Sequence, residues 1–141
     1  MCGSFSSADV LRLHLQVKLI DFGSAVHCDR SKLHKTFFGT AAYASPQALA
    51  HKPYSAPASD VWALGILFSI LLCSQSIFPN PAAVLDNNPN RSLLKDMSVD
   101  SRRILQLCLC QDPSKRITIQ QLYEYPSLQP FIARAEELSC Q

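Results

Sequence analysis

Asp21, Phe22 and Gly23 are the first residues in this chain whose types and order indicate chemistry. They follow the extended-favouring run VKLI at positions 17–20, so an acid lies at the start of a turn. A carboxylate at such a position can hold a metal ion. The same residues are also typical of a plain Asx turn that follows a strand. The tripeptide alone leaves both interpretations open.

Composition limits the classes of protein to which this chain can belong. It has 141 residues, 48% of them hydrophobic and 17% charged, which predicts one domain with a packed core. Its 13 basic and 11 acidic residues are scattered and give a formal net charge of +2. Because the basic residues form no block, nucleic acid is not the expected partner.

The six cysteines are dispersed along the chain, and we expect no cleavable signal peptide before them. This pattern favours free thiols in a reducing compartment, so we predict a cytoplasmic protein, with the nucleus as the alternative. Cys108 and Cys110 are two residues apart, which directs them to different faces of a helix. No neighbouring Cys or His pair completes a tetrahedral zinc site with them.

The first half of the chain divides into three segments. Residues 1–8 are small and polar and are predicted to be a disordered start. Residues 9–22 alternate between apolar and polar side chains, which predicts a strand or a short β-hairpin. Residues 23–59 contain several Gly, Pro and Ser residues and little periodicity, which predicts a long loop with one helical turn near Pro46–Ala50.

A central helix is predicted after Asp60, because thirteen mostly apolar residues follow it, Val61–Cys73. An aspartate in that position can accept backbone N–H bonds and begin a helix. The helix is apolar on all sides, so either protein or lipid must surround it. Because a membrane span needs about 20 apolar residues, we predict a buried helix rather than a span.

The second half of the chain predicts further helices. Residues 76–96 are rich in Asn and Pro and are predicted to be a loop containing one poor helix. Ser98 can cap a helix that extends through Cys110, and Thr118 can cap a shorter one that ends at Glu124. The fold class predicted is therefore mainly α, with a hairpin, a long loop, a central helix and two or three further helices.

Four segments occur in an order that resembles the C-terminal lobe of a eukaryotic protein kinase. They are the Asp-Phe-Gly motif at 21–23, GTAAYASPQAL at 39–49, SDVWALGILF from 59 and DPSKRITI from 112. They resemble the family's metal-binding motif, activation segment, central F helix and arginine segment. The resemblance covers residues 9–131 and leaves 132–141 as a C-terminal tail.

The resemblance implies how ATP and Mg²⁺ would be bound. In the family, the aspartate of the Asp-Phe-Gly motif and an asparagine of the catalytic loop hold the magnesium ions that bridge the phosphates. Asp21 is therefore the expected magnesium ligand, with Phe22 packed beneath it and Gly23 allowing the turn. Asp9 lies where the asparagine would be and is the second candidate ligand.

The resemblance also implies a substrate-binding loop. Gly39, Thr40 and Tyr43 resemble the loop that receives the residue next to the phosphoacceptor, and the sequence through Pro46 is similar to the serine/threonine branch. Ser31 and Thr36 lie where activation-loop phosphorylation occurs in the family. An ordinary polar loop is the alternative interpretation of these two residues.

Several positions depart from the family's pattern. A whole kinase domain needs roughly 250 residues, and the position of the His-Arg-Asp motif falls here on residues 2–4, which cannot supply a catalytic base. Gln47 stands where the family has a glutamate that pairs with the arginine that Arg116 resembles, so we expect one hydrogen bond instead of an ion pair. The resemblance assigns structural roles to Asp60, Trp62, Gly65 and Arg116.

The predicted function is that of a protein serine/threonine kinase-like domain, which transfers phosphoryl groups from ATP to protein Ser/Thr. We expect the 141-residue chain to be truncated and inactive alone, because the N-terminal lobe and the catalytic base are missing. The alternative is a non-catalytic, pseudokinase-like module. The expected partner is a protein, either as substrate or on an uncovered face of the central helix.

Overall fold

The protein is described here by a computed structural model of residues 18–29 and 32–139. The part it describes is mostly helical, and none of these residues lies in a β-strand. A single antiparallel bridge joins His34 to Tyr54. Of the predicted hairpin, residues 9–17 lie outside the described residues, and residues 18–21 are irregular instead of extended in a sheet.

Six α-helices follow one another along the described chain. They are α1 (Pro46–Leu49), α2 (Ala56–Cys73), α3 (Pro81–Leu85), α4 (Val99–Cys108), α5 (Ile119–Tyr123) and α6 (Gln129–Ser139). Short 3₁₀ turns lie between them, at Phe22–Ser24, Ala41–Tyr43, Arg91–Leu94 and Pro126–Leu128. Four helices follow α2 in the described chain, where the sequence predicted two or three.

The central helix α2 is longer than the sequence predicted. It has 18 residues and begins at Ala56, with Ser55 as its N-cap, so the prediction that Asp60 begins the helix is wrong. Pro57 lies in the first turn, where a backbone N–H has no acceptor within the helix. Proline, which lacks this N–H, therefore costs the helix no hydrogen bond at that position. Asp60 therefore lies one turn inside α2 and has no capping role.

Two hydrophobic clusters lie on different sides of α2. One contains Trp62 and Ile66 of α2, which pack against residues of the Pro-rich segment and α3: Ile77, Phe78, Ala83 and Val84. The other contains Val61, which packs against residues of α4, α5 and the segment between them: Ile104, Cys108, Ile117 and Leu122. Because α2 contributes to both, it organises the whole described fold.

Part of the α2 surface is open to solvent. Leu71 is 73% exposed and Leu67 is 43% exposed, whereas Trp62 and Ile66 are fully buried. Among the described helices, α2 alone has the length and apolar composition of a membrane span. Core helices of other proteins share both features, so this finding is weak evidence for a span.

Apart from α2, three predicted helix starts are confirmed, and two predicted helix ends differ. Ser98 caps α4 by accepting the N–H of Ser101 at 3.1 Å, and Thr118 caps α5 in a reciprocal capping box with Gln121. The helical turn at Pro46 is also present. However, α4 ends at Cys108, two residues earlier than predicted, and α5 ends at Tyr123, one residue earlier than predicted.

Candidate functional site

Asp21 forms the turn that the sequence predicted. It adopts a left-handed conformation with φ 60° and ψ 71°, and its Oδ1 accepts the N–H of Gly23 at 3.4 Å, at the start of the 3₁₀ turn Phe22–Ser24. The side chain is exposed, and no ion pair involving it occurs among the described residues. A carboxylate in this state fits a magnesium ligand, because Mg²⁺ is commonly held by one or two carboxylates together with phosphate oxygens.

The remainder of a metal site is not brought together in the described part of the chain. No group of three His, Cys, Asp or Glu side chains is found there. The second candidate ligand, Asp9, lies outside the described residues. Phe22 is 68% exposed, so the packing that the resemblance implied beneath Asp21 is not present in this structure.

The substrate-type loop has a defined backbone. Gly39 has φ 137°, a conformation that L side chains rarely adopt, and a Cβ there would lie 3.3 Å from the ring of Phe37. Thr40 precedes the 3₁₀ turn Ala41–Tyr43, and Tyr43 is 39% exposed. The loop therefore exposes Thr40 and Tyr43 at the surface of the described structure.

The stretch before this loop is held by Tyr54. The His34–Tyr54 bridge has N–H···O distances of 2.8 and 2.9 Å, and the Tyr54 hydroxyl donates to the carbonyl of Thr36 at 3.1 Å. Partial burial raises the pKa of Tyr54, and the nearby Asp60 carboxylate raises it further. Thr36 is exposed, whereas Ser31, the other candidate phosphorylation site, lies outside the described residues.

The end of the loop is attached to the helical core through Gln47 and Arg116. Arg116 is 4% exposed, and its Nη2 donates to Gln47 Oε1 at 3.1 Å. The Gln47 amide in turn donates from Nε2 to the carbonyl of Gln111 at 2.7 Å. The hydrogen bond expected between Gln47 and Arg116 is therefore present, and the two bonds together fix the orientation of the amide.

Arg116 satisfies most of its remaining donors with backbone carbonyls. Its Nε donates to Cys110 at 3.0 Å, its Nη1 to Ala58 at 2.7 Å, and its Nη2 also to Gln111 at 3.4 Å. Among the described residues, no carboxylate lies within ion-pair distance of it. Desolvation lowers the pKa of Arg116 to about 10. A buried guanidinium thus replaces its usual hydration with neutral oxygens.

Trp62, Gly65 and Asp60 all belong to α2, and of the three Trp62 contacts Arg116. The Arg116 guanidinium carbon lies 5.1 Å from the centroid of the Trp62 ring, and that ring also stacks on Phe78 at 5.6 Å. A Cβ on Gly65 would lie 2.8 Å from Cβ of Cys108, so α2 and α4 approach closely there. Partial desolvation raises the pKa of Asp60.

Two structural contacts were missed by the sequence analysis. Gln111 donates from Nε2 to the carbonyl of Val84 at 2.9 Å, which links the Arg116 segment to α3. Buried Ser45 accepts the hydroxyl of Ser59 at 3.0 Å, which links α1 to the first turn of α2. Neither contact could be predicted from neighbouring residues, because the two partners in each contact are distant in sequence.

Comparison with known proteins decides the family. A model of the protein kinase domain matches residues 8–128. The chain belongs to the protein kinase family. The family resemblance that the four motifs indicated is thereby confirmed.

The chain is similar to several proteins named as protein kinases, most of them as serine/threonine kinases. Probable serine/threonine-protein kinase HSL1 of Saccharomyces cerevisiae is 32% identical over 82% of the chain. Mitosis inducer protein kinase cdr2 of Schizosaccharomyces pombe is 33% identical over 86%, and serine/threonine-protein kinase SIK2 of Gallus gallus is 29% identical over 92%. The matched regions are 8%, 16% and 17% of those three proteins, so the chain spans a small part of their length.

Proposed function

We propose that this chain provides the activation segment and helical core of a protein serine/threonine kinase domain, which transfers the γ-phosphoryl group of ATP to Ser or Thr of a protein substrate. The observation that carries the proposal is the pair of hydrogen bonds from Arg116 to Gln47 and to Ala58, which connects α1, directly after the exposed loop at Gly39–Tyr43, to the first turn of α2. A substrate loop must be held on a rigid support to position a hydroxyl for in-line transfer.

Asp21 would hold Mg²⁺ in this proposal. Its carboxylate is exposed and its backbone is set by the turn with Gly23, so the oxygen not used for capping can reach a phosphate-bound cation. Magnesium bridges the phosphates and neutralises charge that develops during transfer. Asp9 would be the second ligand, with a carboxylate where the family has an amide.

We further propose that the 141-residue polypeptide does not catalyse transfer by itself. If Asp9 lies at the family's asparagine, the His-Arg-Asp position falls on residues 2–4, Cys-Gly-Ser. None of these side chains can orient the substrate hydroxyl and accept its proton as an aspartate does. Activity would then require a polypeptide that supplies a catalytic base and an ATP-binding lobe.

A phosphotransfer assay tests both parts of the proposal. Purified 141-residue protein, incubated with Mg²⁺, radiolabelled ATP and casein, is expected to transfer no label above a protein-free blank. The endogenous polypeptide, isolated with an antibody against residues 127–141 and sized by intact mass, is expected to exceed 15.6 kDa and to be active. Asp21→Asn in that polypeptide should lower kcat by about 10³-fold or more, because it removes the charge that binds magnesium.

The matched control is Asp29→Asn, which removes one exposed carboxylate from the same segment. It should change kcat less than about twofold. Phosphotransfer by the 141-residue protein that is abolished by Asp21→Asn would refute the proposed inactivity. A larger endogenous polypeptide whose activity survives Asp21→Asn would refute the magnesium role.

A second candidate function is a non-catalytic protein-binding module. The observation that favours it is the exposed row of leucines on α2, at Leu64, Leu67, Leu71 and Leu72. Exposed apolar residues that adjoin one another on a helix are typical of a protein interface. In this alternative the partner covers α2, and Asp21 serves only to form its turn.

Site-specific photo-crosslinking distinguishes this second candidate. A benzophenone amino acid at Leu71, which is 73% exposed, is expected to give one major cross-linked protein in cells. The same probe at Val99, which is 74% exposed on α4, is the matched control and should give none. Equal cross-linking from both positions, or none from Leu71, would rule out a specific partner on this face.

A further inference from the structure

A groove lined by Lys35 connects two parts of the proposed phosphotransfer site. Ser24 and Val26, which follow the Asp21 turn, line it together with the stretch that leads into the loop at Gly39. Its volume is about 310 Å³, and the lining residues on which the inference rests are Val26, Leu33, His34, Lys35, Phe38 and Tyr54. A substrate that contacts both the loop and a cation at Asp21 is therefore expected to contact this groove.

The charge in this groove is the ammonium group of Lys35, whose side chain is exposed. Neither of the two ion pairs found among the described residues includes Lys35. None of the described residues that line the groove is acidic. The carboxylate of Asp60 raises the pKa of Tyr54, but Asp60 does not line the groove. An exposed cation in these surroundings favours an anionic partner.

The backbone that carries Lys35 is held on both sides by Tyr54. His34, directly before Lys35, exchanges two N–H···O bonds of 2.8 and 2.9 Å with Tyr54. The carbonyl of Thr36, directly after Lys35, accepts the Tyr54 hydroxyl at 3.1 Å. A side chain on a fixed backbone loses less conformational freedom when it binds a partner. Lys35 is therefore positioned by tertiary contacts in advance of binding.

Three apolar side chains share the groove with Lys35 and are largely open to solvent. Val26 is 53% exposed, Leu33 is 60% exposed and Phe38 is 64% exposed. Small-molecule sites usually bury about 70 to 90% of the ligand surface, and walls as exposed as these cannot enclose a ligand to that extent. A polypeptide can cover such a surface with one apolar side chain while its polar rim stays in water. The groove therefore fits a segment of a protein.

We propose that this groove selects the protein substrate by binding a segment in which an acidic residue pairs with Lys35 and a neighbouring apolar residue covers Leu33 and Phe38. The inference rests on the proposed kinase function and adds the substrate class, which is proteins whose phosphoacceptor Ser or Thr lies near an acidic and apolar segment. A carboxylate accepts a charge-assisted hydrogen bond from the ammonium group, and apolar burial adds to this interaction. Lys35 determines specificity here and takes no part in the chemical step.

Peptide binding to the purified 141-residue protein tests the groove without requiring catalysis. The probe is a short fluorescent peptide with a central serine flanked by glutamate and leucine, and its anisotropy measures binding. Peptides with glutamine or lysine in place of glutamate are expected to bind at least about tenfold more weakly. Added salt should weaken binding of the glutamate peptide, because the pair with Lys35 is exposed. Equal binding of the three peptides would overturn the inference.

Charge reversal at Lys35 connects the binding to the groove. Lys35→Glu should weaken binding of the glutamate peptide at least about tenfold and should strengthen binding of the lysine peptide, an exchange that a loss of structure would not produce. Leu33→Asn should weaken binding at least about threefold, because it removes apolar contact. Lys95→Glu and Leu85→Asn are the matched controls at exposed positions outside the groove, and both should leave binding unchanged.

The larger endogenous polypeptide separates a failure of this inference from a failure of the proposed kinase function. With the glutamate peptide as substrate, Lys35→Glu should raise KM at least about tenfold and change kcat less than about twofold. Phosphotransfer with equal kcat/KM for the glutamate and lysine peptides would overturn the substrate class and leave the kinase function intact. Absence of phosphotransfer, with binding that still depends on Lys35, would support the acidic-segment site and overturn the kinase function.

Discussion

Replacing Arg116 with methionine is expected to lower the free energy of unfolding by about 3 kcal/mol. The substitution removes the donors to four oxygens, on Gln47, Ala58, Cys110 and Gln111. It also removes the contact with the Trp62 ring. A buried acceptor that loses its donor costs about 1 to 3 kcal/mol, so the summed loss exceeds what the protein regains by no longer burying a charge.

Urea unfolding, followed by far-UV circular dichroism and by Trp62 fluorescence, measures this change. Lys115→Met is the matched control, because Lys115 is exposed and makes only a surface ion pair with Asp112 at 3.7 Å. The control should change stability by less than about 0.5 kcal/mol. A loss below about 1 kcal/mol for Arg116→Met would contradict the idea that this network holds the activation segment on the core.

Arg116→Lys provides a finer test of the same network. Lysine keeps the positive charge but cannot donate in the planar arrangement that reaches all of these oxygens at once. The free energy of unfolding of Arg116→Lys is expected to lie between that of Arg116→Met and that of the natural protein. Full stability in Arg116→Lys would show that the charge, rather than the hydrogen bonds, is what the site requires.

Gly65→Ala is the second substitution with a large expected effect. It should lower the free energy of unfolding by about 2 kcal/mol. The added Cβ would lie 2.8 Å from Cβ of Cys108 and 2.8 Å from Cδ2 of Leu109. The leucine side chain can rotate away, but Cβ of Cys108 moves only with the backbone of α4. Alanine favours helix over glycine by about 1 kcal/mol, so the overpacking must exceed that gain.

Thermal and urea unfolding of Gly65→Ala should show a lower free energy of unfolding and a lower midpoint of the unfolding transition. Gly23→Ala is a matched control, because its new Cβ would meet only the Asp21 carboxylate oxygen, at 3.3 Å, on an exposed turn. In a Leu109→Ala background, one of the two close contacts is absent, and the effect of Gly65→Ala should shrink by about 1 kcal/mol. An unchanged or higher stability for Gly65→Ala would disprove close packing of α2 on α4.

The helix caps illustrate what local sequence can predict. Ser98 and Thr118 each precede an apolar pattern, and each accepts the backbone N–H three residues later, as expected. Such bonds involve neighbours along the chain, so residue types and spacing are sufficient to identify them. Asp60 shows the limit of the same argument, because Pro57 belongs to the first turn and the helix α2 begins five residues earlier than predicted, after Ser55.

The helix α6 shows why a breaker residue is ambiguous. Proline commonly follows the end of a helix, and Pro126 lies just after the end of α5. In the fold, Pro126 lies in the first turn of a 3₁₀ helix, and Pro130 is the second residue of α6, where proline is tolerated. The same residue that ends one helix can therefore begin the next, and only the packed structure distinguishes the two.

The sequence by itself determined the kinase family, the order of its motifs, the caps of α4 and α5 and the substitution at Gln47, because all of these depend on residue types at set spacings. Only the tertiary structure decided which residues meet at Arg116. Gln47, Ala58 and Gln111 come from three distant segments, and their approach depends on how the helices pack around α2. Long-range contacts of this kind produce no periodic pattern of residue types in the sequence. Each contact depends on how whole helices and loops pack together, and not on the residues next to it in sequence.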